Sequence, residues 1–180
     1  MRRSVLDGLA LPQIARAKAT ALPFATRLNL RGGADIAGPF AEAFGVALPT
    51  KPLSSAASGA RAALWLGPDE WLLIAEERAT DLQAGLEAAL SGVFHSLVDV
   101  SHRQVGIWLE GPGAARLLAA GCPLDLDLRA FPAGMSTRTL LVKAEIGLWR
   151  PTEDGFHIEM LRSFAPYVAR ILDEASRDQS

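Results

Sequence analysis

Asp99, Ser101 and His102 fall within four positions and are the residue types of a nucleophilic triad. In a triad the serine attacks, the histidine takes its proton and the carboxylate orients the histidine. The spacing argues against that chemistry. On one extended strand Asp99 and Ser101 share a face and His102 points away, so the serine–imidazole contact does not form. No G-x-S-x-G elbow surrounds the serine either. The local reading is a strand end bearing polar residues.

A second candidate follows at once. Gly111-Pro112-Gly113 comes after an apolar strand pattern and opens an apolar helix, which is the context of a dinucleotide fingerprint. Arg116 stands where the third glycine belongs, and Pro112 removes a backbone donor that could have faced a phosphate. Helix initiation is the expectation, and a nucleotide enzyme using Gly111 and Gly113 is kept as a lesser alternative.

The remaining reactive side chains are dispersed. His95, His102 and His157 sit on separate predicted strands without a second ligand at metal spacing. Cys122, the single cysteine, lies in apolar sequence, reads as a small core residue and excludes an intrachain disulfide. Asp125 and Asp127 could share a strand face and hold a cation, but Arg129 beside them points to a charge-balanced loop. No catalytic, cofactor-binding or metal-ligating residue is nominated, and the chain reads as dependent on a partner for any chemistry.

The elements that would position these groups read as strand, helix, hairpin, helix, twice over. "FATRLNLR" (24–31) alternates as a strand, and "GPFAEAFG" (38–45) as a short helix with Pro39 in its first turn and Gly45 at its end. Residues 47–62 read as a loop, and residues 63–75 as a hairpin flanked by Trp65 and Trp71. Thr80 and Gln83 form a capping-box pattern ahead of Leu82, Leu86 and Leu90, predicting a helix over 80–91. "HSLVDVS" and "QVGIWLEG" read as strands, Pro112 opens a helix closed by Gly121, and further strands follow in 137–161. Ser163 is positioned to cap a last helix carrying Pro166 in its first turn, with residues 176–180 fraying.

The two halves echo each other: "GPFAEAFGVALP" parallels "GPGAARLLAAGCPL", and "LWLGPDEWLLI" parallels "LWRPTEDGFHIEM". The expected fold is α+β on mainly antiparallel sheet, built from tandem ferredoxin-like β-α-β-β-α units. Its expected division is an N-terminal arm, 1–22, and a single domain, 23–176, made of pseudo-repeats 23–97 and 98–176.

Bulk composition excludes several classes. The 180 residues suit one compact core, and 49% hydrophobic residues with a net charge of −2 place the chain among globular proteins. Lysine occurs only at Lys18, Lys51 and Lys143; the 15 arginines are dispersed, so a nucleic-acid partner is not expected. The N-terminus lacks a continuous apolar core and no run reaches membrane-spanning length, which points to the cytoplasm and to no membrane partner.

Seven short motifs in order carry a family resemblance: "LNLRG" (28–32), "LWLGPDEWLL" (64–73), "VDVSH" (98–102), "LEGPGA" (109–114), "GCPLDL" (121–126), "RAFPAG" (129–134) and "RSFAPY" (162–167). From about residue 22 almost to the C-terminus the chain resembles the gamma subunits of heterotetrameric sarcosine oxidases. The resemblance implies a fold like the folate-binding aminomethyltransferase (T-protein) domain of the glycine-cleavage system. It implies a role in assembling a flavoenzyme that oxidatively demethylates sarcosine to glycine, releasing hydrogen peroxide and passing the one-carbon unit to tetrahydrofolate.

The resemblance also implies partners: alpha, beta and delta subunits, with alpha the main contact. FAD, FMN, NAD and the tetrahydrofolate site then belong to alpha and beta, and zinc to delta. It brings no catalytic residue to this chain. Its motif residues Asn29, Arg31, Gly67, Asp69, Trp71, Asp99, Ser101, Gly111, Pro112, Cys122, Pro123, Asp125, Arg162 and Ser163 read as structural or interface positions. Self-association of the isolated chain through the surface meant for a partner stays open. The rival reading is a stand-alone folate-binding or one-carbon transfer protein, for which Asp69, Glu70 and Asp99 are the acids available to recognise a pterin.

Overall fold

The computed structural model describes residues 5–76 and 79–177. In chain order the strands are β1 (Gln13–Ile14), β2 (Ala17–Ala21), β3 (Thr26–Gly32), β4 (Ser55–Ser58), β5 (Arg61–Gly67), β6 (Glu70–Ala75), β7 (His95–Asp99), β8 (Gln104–Glu110), β9 (Ser136–Leu141), β10 (Ala144–Thr152) and β11 (Gly155–Leu161). The α-helices are α1 (Ala37–Phe44), α2 (Ala79–Ala89), α3 (Ala114–Ala119) and α4 (Ala165–Arg177). The chain divides into two compact units, one formed by Phe24–His102 and the other by Met1–Pro23 with Arg103–Ser180.

In the unit Phe24–His102 the antiparallel sheet runs β4-β5-β6-β3-β7. Without β4, this is the ferredoxin-like order, in which each helical crossover skips over one strand. Alternation puts Leu28 and Leu30 of β3 on the helix side, where Phe40 and Phe44 of α1 and Leu82 and Leu86 of α2 bury against them. Gly45 ends α1 in the left-handed region, φ 71°, with its N–H on the Ala41 carbonyl.

The hairpin expected over 63–75 forms with Trp65 opposite Trp71 and a register shift before Gly67. Two details differ from expectation. Ser55–Ser58, read as loop, pair with β5 as β4, because a small-residue segment can still complete a backbone ladder. The capping box is not made: Ala79 is already helical, and the Gln83 amide donates to the Leu97 carbonyl of β7, 3.2 Å away, instead of turning back to a cap. The helix start adjoins residues 77–78, which lie outside the described residues.

The second unit repeats the plan with one strand taken from elsewhere. Its sheet runs β1-β2-β8-β11-β10-β9. Strand β8, helix α3, hairpin β10–β11 and helix α4 mirror β3, α1, β5–β6 and α2, and both hairpins shift register just after a tryptophan, Trp65 and Trp149. The place of β7 is taken by β2, paired antiparallel to β8.

Where an arm was expected over 1–22, the described residues 5–22 lie in this unit and supply β1 and β2 to its sheet. Ala17 and Ala19 are buried among Leu109, Leu118 and the other apolar side chains of this unit's core. The boundary expected at 97/98 would cut through β7, and it lies after His102. Near the C-terminus Ser163 lies inside a short 3-10 turn, Arg162–Phe164, ahead of α4, so it is not the residue that precedes the helix. Ser176 and Arg177 of the tail expected to fray are helical, and 178–180 lie outside the described residues.

Candidate functional site

The Asp99–Ser101–His102 stretch is a clasp between the ends of β3 and β7. Ser101 is 1% exposed. Its hydroxyl donates to Asp99 Oδ1 at 2.5 Å and accepts the Arg27 backbone N–H at 2.9 Å, while its own N–H donates to the same carboxylate oxygen at 2.8 Å. The Val100 N–H continues the ladder to the Arg27 carbonyl, 2.8 Å. His102 turns away and its ring lies 5.3 Å from that of Phe24. A nucleophilic serine needs a base on its hydroxyl; here a carboxylate accepts the hydroxyl proton and the imidazole faces an exposed phenyl ring.

The Gly-Pro-Gly turn is likewise occupied by the protein itself. Gly111 has φ +113°, and a Cβ there would stand 2.6 Å from the Arg16 carbonyl oxygen. The Gly113 N–H donates to that same carbonyl at 2.7 Å, and the Gly111 N–H to Asp154 at 2.9 Å. The glycines therefore let the chain leading into β2 press against the turn, and the two amides that a phosphate would require are already spent on carbonyls. Pro112 is exposed in the turn, and α3 begins only at Ala114.

The other motif residues make local contacts. Asn29 donates to Glu70 Oε1 and Arg31 to Glu70 Oε2, each at 2.9 Å, so Glu70 joins β3 to β6. Hydrogen bonding to Glu70, with its charge, raises the Arg31 guanidinium above its ordinary value. The Asp69 carbonyl accepts the Gly32 N–H, Gly67 ends β5, and the Trp71 indole donates to the Pro49 carbonyl at 2.8 Å. Of the three acids available to the folate reading, Glu70 and Asp99 are thus engaged by neighbouring side chains.

Asp125 accepts the Asp127 N–H, and Asp127 accepts from both the backbone and side chain of Arg129, which holds its carboxyl below the usual range. Successive Asx turns, with exposed Pro123 ahead of them, shape this loop. Cys122 is buried in the core, its N–H on the Leu118 carbonyl at the end of α3. Gly121 is small because a Cβ would stand 2.8 Å from Val142. Exposed Arg162 donates its backbone N–H to the Arg103 carbonyl. Among the described residues no group of three His, Cys, Asp or Glu side chains could hold a metal ion.

The histidines separate into three environments. The carbonyl of Val93 can only accept, so His95 Nδ1 donates to it at 2.8 Å, and Nε2 faces Glu87 at 2.9 Å. Both partners are acceptors, so the protonated ring satisfies them best. The Val93 hydrogen bond, against burial and with help from Glu87, raises the His95 pKa. Buried His157 sits 2.6 Å from Glu159, on the face where Gly106 leaves room: a Cβ there would stand 3.0 Å from both.

Three residues with structural or surface weight carry no motif signal in the sequence. Arg150, 4% exposed, donates Nη1 to the Leu126 and Phe131 carbonyls at 2.9 and 2.8 Å and Nε to Glu153, with its guanidinium 4.7 Å from the Phe156 ring centre. Burial lowers its pKa, against the attraction of Asp154, Glu153 and Asp127. Arg27 is 2% exposed and Phe94 is 93% exposed. An arginine in a strand pattern and a phenylalanine before one both read as ordinary in sequence; only burial distinguishes them.

The comparisons with known proteins agree over nearly the whole chain. The family model described as "Sarcosine oxidase, gamma subunit family" matches residues 32–178. The sarcosine oxidase subunit gamma of Corynebacterium sp. (strain P-1) is 36% identical over 157 residues, covering 86% of this chain and 77% of that protein. That of an Arthrobacter species is 36% identical over 167 residues, 88% and 81%.

Among solved structures, a chain of the heterotetrameric sarcosine oxidase from Corynebacterium sp. U-96, in complex with pyrrole 2-carboxylate, superposes with TM-score 0.88 at 31% identity, over 98% of this chain and 95% of that one. The glycine cleavage system aminomethyltransferase T from Bartonella henselae superposes with TM-score 0.67 at 20% identity, over 91% of this chain and 47% of that one, a likeness of fold alone. With the tandem antiparallel fold and the motif contacts in place, these matches show that the chain belongs to the sarcosine oxidase gamma subunit family.

Proposed function

We propose that this chain is an assembly subunit of a heterotetrameric sarcosine oxidase and contributes structure, not reacting groups, to the oxidative demethylation of sarcosine. The observation that carries the reading is the end-to-end superposition, with 95% of the matched chain covered, on a chain of a heterotetrameric enzyme of that kind. The local geometry supports it: the serine, glycine and acid motifs that could have done chemistry are engaged in clasping strands, seating β2 and shaping loops.

In this reading the partners are alpha, beta and delta subunits, with alpha the principal contact. The FAD, FMN, NAD and tetrahydrofolate sites belong to alpha and beta, and zinc to delta. The cytoplasm is the proposed location; no described helix is long and apolar enough to cross a membrane.

The test is affinity purification of the tagged chain from its native cell, with partners identified by mass and the flavin absorbance band recorded. Co-purification with a large flavoprotein subunit in fixed stoichiometry is the expected result. A colourless chain free of partners overturns the reading. In that case titration with tetrahydrofolate, followed by tryptophan fluorescence, tests the folate-binding rival.

A further inference from the structure

Strand β7 forms one edge of the sheet in the unit Phe24–His102, and three exposed apolar side chains follow it. Phe94, just before the strand, is 93% exposed, Val98 within it 50%, and Phe24, against His102 just beyond it, 65%. Leu97 is buried in the core, so by alternation Val98 and Ser96 stand on the opposite face of the sheet. Val98 stands four positions after Phe94, about 13 Å at the rise of a strand, and His102, with Phe24 against it, follows in the turn beyond the strand.

The backbone beneath Phe94 is pinned on several sides. The Val93 N–H donates to Leu90, the Val93 carbonyl accepts from His95, and His95 also pairs with Glu87 of α2. Gly32 of β3 approaches so closely that a Cβ there would stand 3.4 Å from the Phe94 carbonyl. A fully exposed phenyl ring on an immobilised turn loses little freedom when a pocket closes over it, which is the character of an interface anchor.

We infer that the stripe Phe94–Val98–Phe24 is a docking surface for a different protein that offers an apolar pocket to Phe94. The inference rests on the reading of the chain as an assembly subunit. Covering the three side chains would remove roughly 300–400 Å² of apolar surface. That is close to half of the ~800 Å² that one partner gives to a stable interface, enough for its apolar centre.

The occupant sits on the side chains of the stripe and not on the edge of β7, where an added strand would have to displace Gln83 from the Leu97 carbonyl. The ladder from β3 leaves the Leu97 N–H and C=O on the outer edge of β7, and the Gln83 side chain already takes that carbonyl. The Asp99 carboxylate is held by Ser101.

The experiment co-produces the full chain with the other sarcosine oxidase subunits of the same cell and measures its association with the large flavoprotein subunit. The unmodified chain is compared with Phe94→Ser, Val98→Ser, Phe94→Tyr and, as a control in the other unit, Leu140→Ser, whose side chain is 46% exposed. Melting curves of the free variants confirm that each folds. Phe94→Ser is expected to weaken association at least ~30-fold, Phe94→Tyr, which keeps the ring but carries a hydroxyl into the pocket, to weaken it less, and Leu140→Ser to bind like the unmodified chain.

If Phe94→Ser and Val98→Ser associate normally, the stripe is not the docking surface, although the assembly reading stands. If the unmodified chain joins no complex, the assembly reading fails and the inference with it. A free chain that is a dimer, and that Phe94→Ser makes monomeric, would identify the occupant as a second copy and overturn the choice of partner.

Discussion

Replacing Ser101 by alanine separates a structural clasp from a nucleophile. The hydroxyl is 1% exposed and accepts the Arg27 backbone N–H at 2.9 Å while donating to Asp99 at 2.5 Å. Its removal leaves a buried amide donor without that acceptor, which costs about 1–3 kcal/mol. The Asp99 carboxylate is exposed and keeps the Ser101 N–H at 2.8 Å, so water replaces the hydroxyl there and adds little. The expected loss is about 1–3 kcal/mol, which lowers Tm by roughly 2–12 °C in a chain of this size. Asp99→Asn keeps an acceptor oxygen for both bonds and should lose under ~1 kcal/mol. Thermal and denaturant unfolding followed by tryptophan fluorescence measure both. A Ser101→Ala chain melting within ~1 °C of the unmodified one would refute the clasp.

Other positions test the same logic. Gly111→Ala forces a Cβ to 2.6 Å from the Arg16 oxygen at φ +113°, so it should destabilise the chain by about 2–4 kcal/mol and increase proteolysis of residues 1–22 as β2 loosens; limited digestion with mass readout checks this. Arg150→Met leaves the Leu126, Phe131 and Glu153 carbonyls without their buried donor and should lose about 3–5 kcal/mol in denaturant titration, with Arg150→Lys recovering only part because ammonium lacks the fork geometry. His95 is held above its ordinary 6.5, so its contribution is complete below that value and is lost as pH rises through the raised one. His95→Gln should therefore flatten the fall in stability as pH rises above 6.5, and identical pH profiles of Tm for the two chains would contradict the Val93–His95–Glu87 contact.

Helix and strand identity was legible from local pattern because periodicity reports which side of an element is apolar. Leu28 with Leu30, Phe40 with Phe44, and Leu82 with Leu86 and Leu90 all bury as their spacing requires. The internal echo between the two tryptophan hairpins survives as a shared register shift. The separation of Ser101 from His102 was expected from alternation along one strand; the strand ends at Asp99 instead, and in the turn that follows Ser101 meets Asp99 and Arg27 while His102 lies against Phe24.

Partner choice between distant segments was decided only by tertiary structure. Nothing near Ala17 or Ala19 announces that they complete a sheet around β8, because strand pairing joins backbones and leaves almost no mark on side-chain type. HSLVDVS and QVGIWLEG read as two strands a few residues apart, yet β7 and β8 enter different sheets, since a short connection can turn a hairpin or leave one sheet for another. Gln83 shows the limit of motif reading: the same amide could close a capping box or take the Leu97 carbonyl, and the arrival of β7 beside α2 decided between them. The sequence alone determined the four α-helices, the strands with a clear apolar alternation and the side chains able to react. The folded chain decided what those side chains touch, because hydrogen bonds and burial depend on which distant segments arrive beside them.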